Sequence, residues 1–205
     1  MNIYIASNNQ GKLQELSKCF PKYTILSQSN IENFLKIKIN INENGKTFSE
    51  NAIIKVKALK SVLHDYLKKE DIIIADDSGI LIPSLPGFLG VYTKRQMEEW
   101  CKRQNGPVTE NDFYNCISSI TPLPNICIFE VSIAVITYNN CKTYTQKLEG
   151  TLAKKCRGNN GFGFDPIFEI NHKTLAEMSS YEKSLLNPRI QAIKKLKKDL
   201  SIQKK

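Results

Sequence analysis

Residues 72–75 of this chain read Ile-Ile-Ile-Ala and run straight into Asp76-Asp77-Ser78-Gly79. No other feature constrains the fold as tightly. A β-branched apolar run suits a central strand buried on both faces, which requires cover from helices on each side. Two carboxylates at the end of such a strand are costly unless something cationic binds there. Successive side chains of an extended strand point to opposite faces, so Asp76 and Asp77 need not share one ligand. One can hold a hard cation such as Mg²⁺, which takes one or two carboxylates together with waters and phosphate oxygens, while the other braces the loop. The structural alternative is an Asx-type turn. The strand is read as ending at the acidic pair, with Ile80-Leu81-Ile82 forming another strand-like stretch.

The surrounding pattern supplies the helices. Asn2–Ala6 is a short strand candidate, Ser7-Asn8-Asn9-Gln10-Gly11-Lys12 a polar loop, and the next residues a helix with Leu13, Leu16 and Phe20 on one face. Strand, polar loop and helix open an α/β unit whose helix N–H groups can meet an anion. Thr24–Ser27 is a second strand. Residues 35–42 alternate apolar and polar, which predicts a half-buried strand at an edge. Glu43-Asn44-Gly45-Lys46 is a turn. Thr47-Phe48-Ser49-Glu50 has capping-box spacing and opens a helix running to about Lys69. Its buried stripe is Ala52, Val56, Leu59 and Leu63, which Lys55 leaves near the helix start.

Further along, a Pro/Gly-rich segment, Pro83–Gly90, leads to Arg95, and a helix is predicted over Asn111–Ile120 with Thr109 as cap. Ile126–Tyr138 and Thr143–Ala153, joined at Asn139-Asn140, read as an antiparallel hairpin. A glycine-rich loop, Arg157–Gly163, precedes two short helices around Leu175–Leu186 and Arg189–Leu200. Long antiparallel strands mixed with βα units point to a mixed α/β (α+β) fold, not a plain parallel doubly wound sheet.

Composition narrows the class. The 205 residues allow one large domain, or one with a small lobe, and 41% apolar content suits a globular chain. No run of about 18 apolar residues occurs, and the N-terminus lacks a basic segment followed by a cleavable apolar one, so a cytosolic protein without a membrane partner is expected. The six cysteines are scattered without a C-x-x-C pair and there are only two histidines, poor material for zinc. The net charge of +9 suggests a polyanionic partner such as a phosphorylated small molecule or nucleic acid. Lys194, Lys195, Lys197, Lys198, Lys204 and Lys205 crowd the C-terminus, where a solvated last helix with cations at its C-terminal end explains them better than a nucleic-acid patch.

Three further segments can carry chemistry. Ser7–Lys12, a loop of small and amide residues with Lys at a helix start, can hold phosphate oxygens, although it lacks the Walker A spacing and also reads as an ordinary βα turn. In Arg157–Pro166 the glycines permit close backbone approach, Phe162 and Phe164 offer faces for a base, and Pro166 holds Asp165 extended; a plain hairpin turn is the alternative. Lys183 and Arg189 flank a helix corner where Asn187 can cap and Pro188 can open the next helix. Taken alone, those two cations read as a solvated surface pair.

These segments, in this order, resemble the inosine triphosphate pyrophosphatase family. Ile5-Ala6-Ser7-Asn8-Asn9-Gln10-Gly11-Lys12-Leu13-Gln14-Glu15-Leu16 is similar to its opening A-T-x-N-x-x-K-x-x-E motif. Thr47-Phe48-Ser49-Glu50-Asn51-Ala52, with Lys55 and Ala58, resembles T-F-x-E-N-A-x-x-K-A. Asp76-Asp77-Ser78-Gly79 matches D-D-S-G. Gly161-Phe162-Gly163-Phe164-Asp165-Pro166-Ile167-Phe168 resembles G-F-G-Y-D-P-x-F, and Ala176-Glu177-Met178 with Lys183 and Arg189 resembles the closing motif.

The resemblance implies an elongated α/β fold, with a central mixed sheet flanked by helices and two lobes around an active-site cleft. Residues 1–205 would be a single pyrophosphatase domain, usually a homodimer. It implies Mg²⁺-dependent hydrolysis of ITP, dITP and XTP to the monophosphate and pyrophosphate in the cytoplasm. By the same resemblance, Asp77, Lys12 and Lys55 are catalytic, and Asp77 with Glu43 or Glu50 holds the metal. Ser7, Asn8, Asn9, Gln10, Gly11, Lys12 and Ser78 bind phosphate or ribose. Phe162, Gly163, Phe164 and Asp165 hold the base, Lys183 counters phosphate charge, and Arg189 reaches the 6-oxo group.

The chain departs from the family pattern in places. S-H-R reads Asn187-Pro188-Arg189, which removes an imidazole near the base site. G-x-P-G-x-x-S-A-R reads Gly87-Phe88-Leu89-Gly90-Val91-Tyr92-Thr93-Lys94-Arg95, and Phe164 replaces a tyrosine. Three alternatives stay open: a pyrophosphatase for other nucleotides, an inactive binding paralogue, and a basic nucleic-acid-binding module. The acidic pair argues against the last, so no stable nucleic-acid partner is expected.

Overall fold

The computed structural model describes residues 1–138 and 140–202. Asn139, at the expected hairpin tip, and Lys204 and Lys205 of the lysine-rich terminus lie outside the described residues. Strands β1 (Asn2–Ile5), β2 (Thr24–Ser27), β3 (Ile72–Leu81), β4 (Ile126–Thr137), β5 (Asn140–Leu152), β6 (Phe168–Ile170) and β7 (Lys173–Thr174) form a sheet in the order β2-β1-β3-β4-β5-β6-β7. The helices are α1 (Gln10–Cys19), α2 (Gln28–Leu35), α3 (Phe48–Leu63), α4 (Thr93–Lys102), α5 (Glu110–Ile120), α6 (Ser180–Leu186) and α7 (Pro188–Ile202). β1 pairs in parallel with β2 and β3, whereas β5, β6 and β7 pair antiparallel. The sheet is therefore mixed, as the sequence predicts. Two compact units divide the chain: Met1–Asp77 with Val131–Gln146 and Arg189–Lys205, and Ser78–Glu130 with Lys147–Pro188.

In the first unit, β1–α1–β2 is the expected opening βα crossover. Tyr4, Ile73 and Ala75 of the strands pack with Ala52, Val56, Leu59 and Leu63 of α3 in one apolar cluster. The alternate strand residues Ile3, Ile5, Ile72 and Ile74 are also buried. Since alternate side chains face opposite ways, these strands are covered on both sides. In the second unit, α5 begins at a complete capping box between Thr109 and Asp112, and Phe113, Tyr114, Phe129, Phe164 and Phe168 form a chain of tilted and edge-on ring contacts. Asn171 and His172, both at positive φ, turn β6 into β7.

Four expectations need correction. Residues 36–45 form no strand. Ser27 instead caps α2, with Asn30 completing its box, and the alternation that follows is extended chain. The Ile39 N–H donates to Glu32 Oε1 at 3.0 Å and its carbonyl accepts from Gln28 Nε2 at 2.9 Å, so side chains of α2 replace a ladder partner. β3 does not stop at the acidic pair but continues through it to Leu81, because cations meet both carboxylates in place. α3 ends at Leu63 rather than Lys69, and α6 begins only at Ser180, where Ser179 and Glu182 make the capping box. Helices α2 and α4 carry no strong sequence signal and were not anticipated.

Cysteine usage gives a test. Cys127 in β4 is fully buried, and burial pushes its thiol up to about 12, while Cys141 in β5 is exposed. Thiolate is the reactive form. Alkylation of the native protein at pH 8 followed by peptide mapping should label Cys141 and spare Cys127 until denaturant is added.

A candidate active site of paired charges

The acidic pair on β3 divides its side chains between two sets of partners, as alternation requires. Asp76, fully buried, accepts from Arg189 Nε at 2.8 Å and from Arg189 Nη2 at 3.4 Å, and forms an ion pair with Lys12. Arg189 Nη1 also donates to Glu15 Oε2 at 2.6 Å. Lys12 and Glu15 stand three residues apart on α1, one face of the helix, so both reach this cluster. Two cations and two carboxylates balance. Burial alone would raise the Asp76 carboxyl, but the Arg189 and Lys12 charges outweigh it and hold it well below the usual carboxylate range. Burial draws Lys12 down from its ordinary value; Asp76 opposes this, and the Arg189 and Lys55 charges add to it.

Asp77 has different company. Its Oδ1 accepts from Lys55 Nζ at 2.8 Å and its Oδ2 from Asn51 Nδ2 at 3.1 Å. Lys55 Nζ also meets Glu43 Oε2 at 2.6 Å and the Asp76 carbonyl at 3.4 Å. Burial pushes the Asp77 carboxyl up despite Lys55, making it a better proton acceptor than an exposed aspartate. Burial would lower Lys55, but Asp77 and then Glu43 keep it above its ordinary value and therefore charged. Lys55 is only 8% exposed, so it lies on the buried face of α3 rather than leaving it near the helix start. Two carboxylates facing one ammonium are what make that burial tolerable.

Lys55 thus brings the Asp77 and Glu43 carboxylates to one ammonium. A hard divalent cation that shares Asp77 and Glu43 and fills its shell with waters and phosphate oxygens fits this donor set. Among the described residues, no three or more Asp, Glu, His and Cys side chains gather as a metal site, so the protein would supply only part of the coordination. Glu50 is placed differently: its Oε2 accepts from the Lys46 N–H at 2.6 Å, fastening the turn before α3.

The polar loop before α1 is fixed by side-chain hydrogen bonds, within itself and to Ser29. Ser7 Oγ accepts from the Asn9 N–H, Asn8 Oδ1 accepts from the Ser29 N–H and hydroxyl, and Asn9 Oδ1 caps the helix at the Lys12 N–H. Gln10 and Gly11 form the first turn of α1, where N–H groups favour anions. Ser78 follows Asp77 in β3 and opens the second unit.

Within the second unit, Asp165 is buried and its Oδ2 accepts from the Phe162 N–H at 2.7 Å and Lys183 Nζ at 2.6 Å. Lys183 Nζ also lies 5.3 Å from the Phe162 ring centre. Gly161, at φ +86°, has no room for a β-carbon, which would fall 2.0 Å from Asp165 Oδ2. Gly163 sits at φ +60° between the two phenylalanines. Phe164 packs on Tyr114 and Phe129 at 5.3 and 6.1 Å, so one of the two anticipated stacking rings is partly a core residue. Neither Lys183 nor Arg189 is a solvated surface cation. Lys183 is mostly buried against Asp165, and Arg189 is 2% exposed against Asp76 and Glu15. Pro188 opens α7 as expected.

The sequence assigns no role to Asn51 or Glu15, although both lie in segments that carry the resemblance. Helical spacing could have found them: Asn51 precedes Lys55 by one turn, and Glu15 follows Lys12 by one.

A mixed α/β fold bearing lysines and an arginine on two adjacent carboxylates of a central strand defines a class suited to binding phosphates. The chain belongs to the Ham1 family, whose model matches residues 3–199. It is 34% identical over 204 residues to the dITP/XTP pyrophosphatase of Listeria monocytogenes serotype 4b (strain F2365), covering 97% of this chain and 94% of that relative. To the dITP/XTP pyrophosphatase of Thermoanaerobacter pseudethanolicus it is 34% identical, covering 96% and 95%. The solved HAM1 protein from Coxiella burnetii superimposes with a TM-score of 0.76 at 28% identity, covering 98% of each chain. The Staphylococcus aureus Ham1 protein gives 0.71 at 26% identity, covering 99% of this chain and 100% of that one.

Removing one member of a buried ion pair strands the other, which costs about 3–5 kcal/mol. Asp76→Asn should therefore lower urea stability at pH 7 by about that amount. Because the Asp76 carboxyl is depressed in the fold, its contribution is complete above the ordinary carboxylate range and is lost as pH falls through the depressed value. The wild-type advantage over Asp76→Asn should shrink in acid, and a constant or growing gap would contradict the assignment.

Proposed function

We propose that this chain hydrolyses ITP, dITP and XTP to the monophosphate and pyrophosphate, clearing deaminated purines from the nucleotide pool. The observation that carries this reading is the nearly full-length match to relatives named dITP/XTP pyrophosphatase. The charge arrangement around Asp76 and Asp77 supports it.

Water attacks the α-phosphorus in line; the new phosphorus–oxygen bond forms as the bond to the α–β bridging oxygen breaks, and pyrophosphate leaves with that oxygen. Asp77 takes the water's proton at a carboxylate oxygen, helped by the burial that raises its basicity. Lys55 and Lys12 neutralise charge on the phosphates at no reorganisation cost, being already fixed on carboxylates. Mg²⁺, when bound by Asp77 with Glu43 or Glu50, supplies further charge neutralisation. Ser7, Asn8, Asn9, Gln10, Gly11 and Ser78 contact phosphate or ribose, with Lys183 countering further phosphate charge. Phe162, Gly163, Phe164 and Asp165 hold the base, and Arg189 meets the 6-oxo group while Asp76 and Glu15 fix its plane. Residues 1–205 act as one domain of two lobes, in a cytoplasmic homodimer without a stable nucleic-acid or membrane partner.

Pyrophosphate release from ITP, XTP, GTP and ATP, with and without Mg²⁺, tests the reading. ITP and XTP should be cleaved only with the metal, and Asp77→Asn should lose about 10²–10⁴-fold in rate, the range expected for a general base. Equal cleavage of GTP would show that Pro188 in place of the family's histidine has removed base selectivity. No release from any of the four would refute the enzyme.

A further inference from the structure

The geometry points to Asn51 as a positioning residue that locks the Glu43 turn to Asp77, so that the two carboxylates act as one rigid pair. Asn51 is 2% exposed. Its side-chain amide is used at both ends: Nδ2 donates to Asp77 Oδ2 at 3.1 Å, and Oδ1 accepts from the Gly45 N–H at 2.8 Å. This fixes the amide's orientation, since a carboxylate can only accept and a backbone N–H can only donate. A β-carbon on Gly45 would meet Asn51 Oδ1 at 2.7 Å, Glu50 Cβ at 2.8 Å and the Asn51 nitrogen at 2.9 Å, so only glycine lets the turn approach this closely.

The contacts close a ring. From Asp77 Oδ1 it passes to Lys55 and to Glu43, along the chain to Gly45, through the Asn51 amide, and back to Asp77 Oδ2. Glu43 is the exposed member, its side chain 41% accessible and its Oε2 held on the shared Lys55 ammonium. The Gly45–Asn51 link and the Glu50 contact on the Lys46 N–H together fasten this turn to α3. Asn suits position 51 in a way Asp does not. An aspartate could still accept from Gly45 but could give nothing to Asp77.

Combined with the reading of Asp77 as the proton acceptor and Glu43 as a metal-holding carboxylate, on which this inference rests, Asn51 sets their separation without itself reacting. Misplacement of such groups by about 1 Å can cost on the order of 100-fold in rate. Asn51→Ala and Gly45→Ala should each lower kcat for ITP about 10- to 100-fold, with KM changed less than about threefold. Because both cut one link, the double variant should be no slower than the worse single. Amide hydrogen exchange, read without substrate, should quicken at Gly45 in Asn51→Ala. Asn51→Asp, nearly isosteric, covers the case in which Asn51→Ala fails to fold; it should lose kcat while Gly45 stays protected. Losses that multiply in the double variant, a rise in KM at constant kcat, or unchanged Gly45 exchange in Asn51→Ala would overturn the assignment. If the wild type releases no pyrophosphate, the functional reading fails on its own, and Gly45 exchange still decides whether the link exists.

Discussion

A buried guanidinium facing a buried carboxylate is the constraint around which this molecule is built. Arg189 and Asp76 lie 113 positions apart and are both nearly inaccessible, and Lys12 and Glu15 complete a balanced quartet with them. Charges at that depth are tolerated only with near-complete partnering. That demand fixes where α1 and α7 place these side chains on β3. It also explains why β3 can carry two aspartates through its middle without leaving the sheet.

The two faces of one strand divide the labour. Asp76 belongs to a balanced set that holds the scaffold. Asp77, one residue on, belongs to a second set, held by Lys55 and the Asn51 amide. A strand makes this separation automatically, because consecutive side chains point apart. In the second unit, Asp165 binds the Phe162 backbone and the Lys183 ammonium, so Phe162 is likewise set by a buried carboxylate.

Much of this was legible in the residues themselves. The apolar run at 72–75, the cap at Thr109 and the strand–loop–helix opening declare themselves through local pattern, and the structure has them where expected. The alternation at 35–42 misled because period two marks which side chains face inward, not whether a neighbouring backbone is available. Ile39 is buried as the pattern implies, yet Gln28 and Glu32 satisfy its backbone. Lys55 and Arg189 were misplaced toward solvent for a related reason. Burial of a cation depends on carboxylates brought from distant segments, and single-residue tendencies carry no information about such partners. The ordered motifs identified the candidate residues, but only the fold shows that the Arg189 side chain is engaged with Asp76 and Glu15.

The reach of Arg189 has a consequence for how the chain matures during synthesis. Domains assemble from the N-terminal side as the chain emerges, yet one of the two cations on Asp76, Arg189, is translated 113 residues later. Until α7 arrives, β3 carries a carboxylate that cannot be buried with its full set of cations. The contact set of the first unit is therefore complete only once residues 189–202 are present. Docking of α7 is then a late latch: it commits the central strand and delivers Arg189 in the same event.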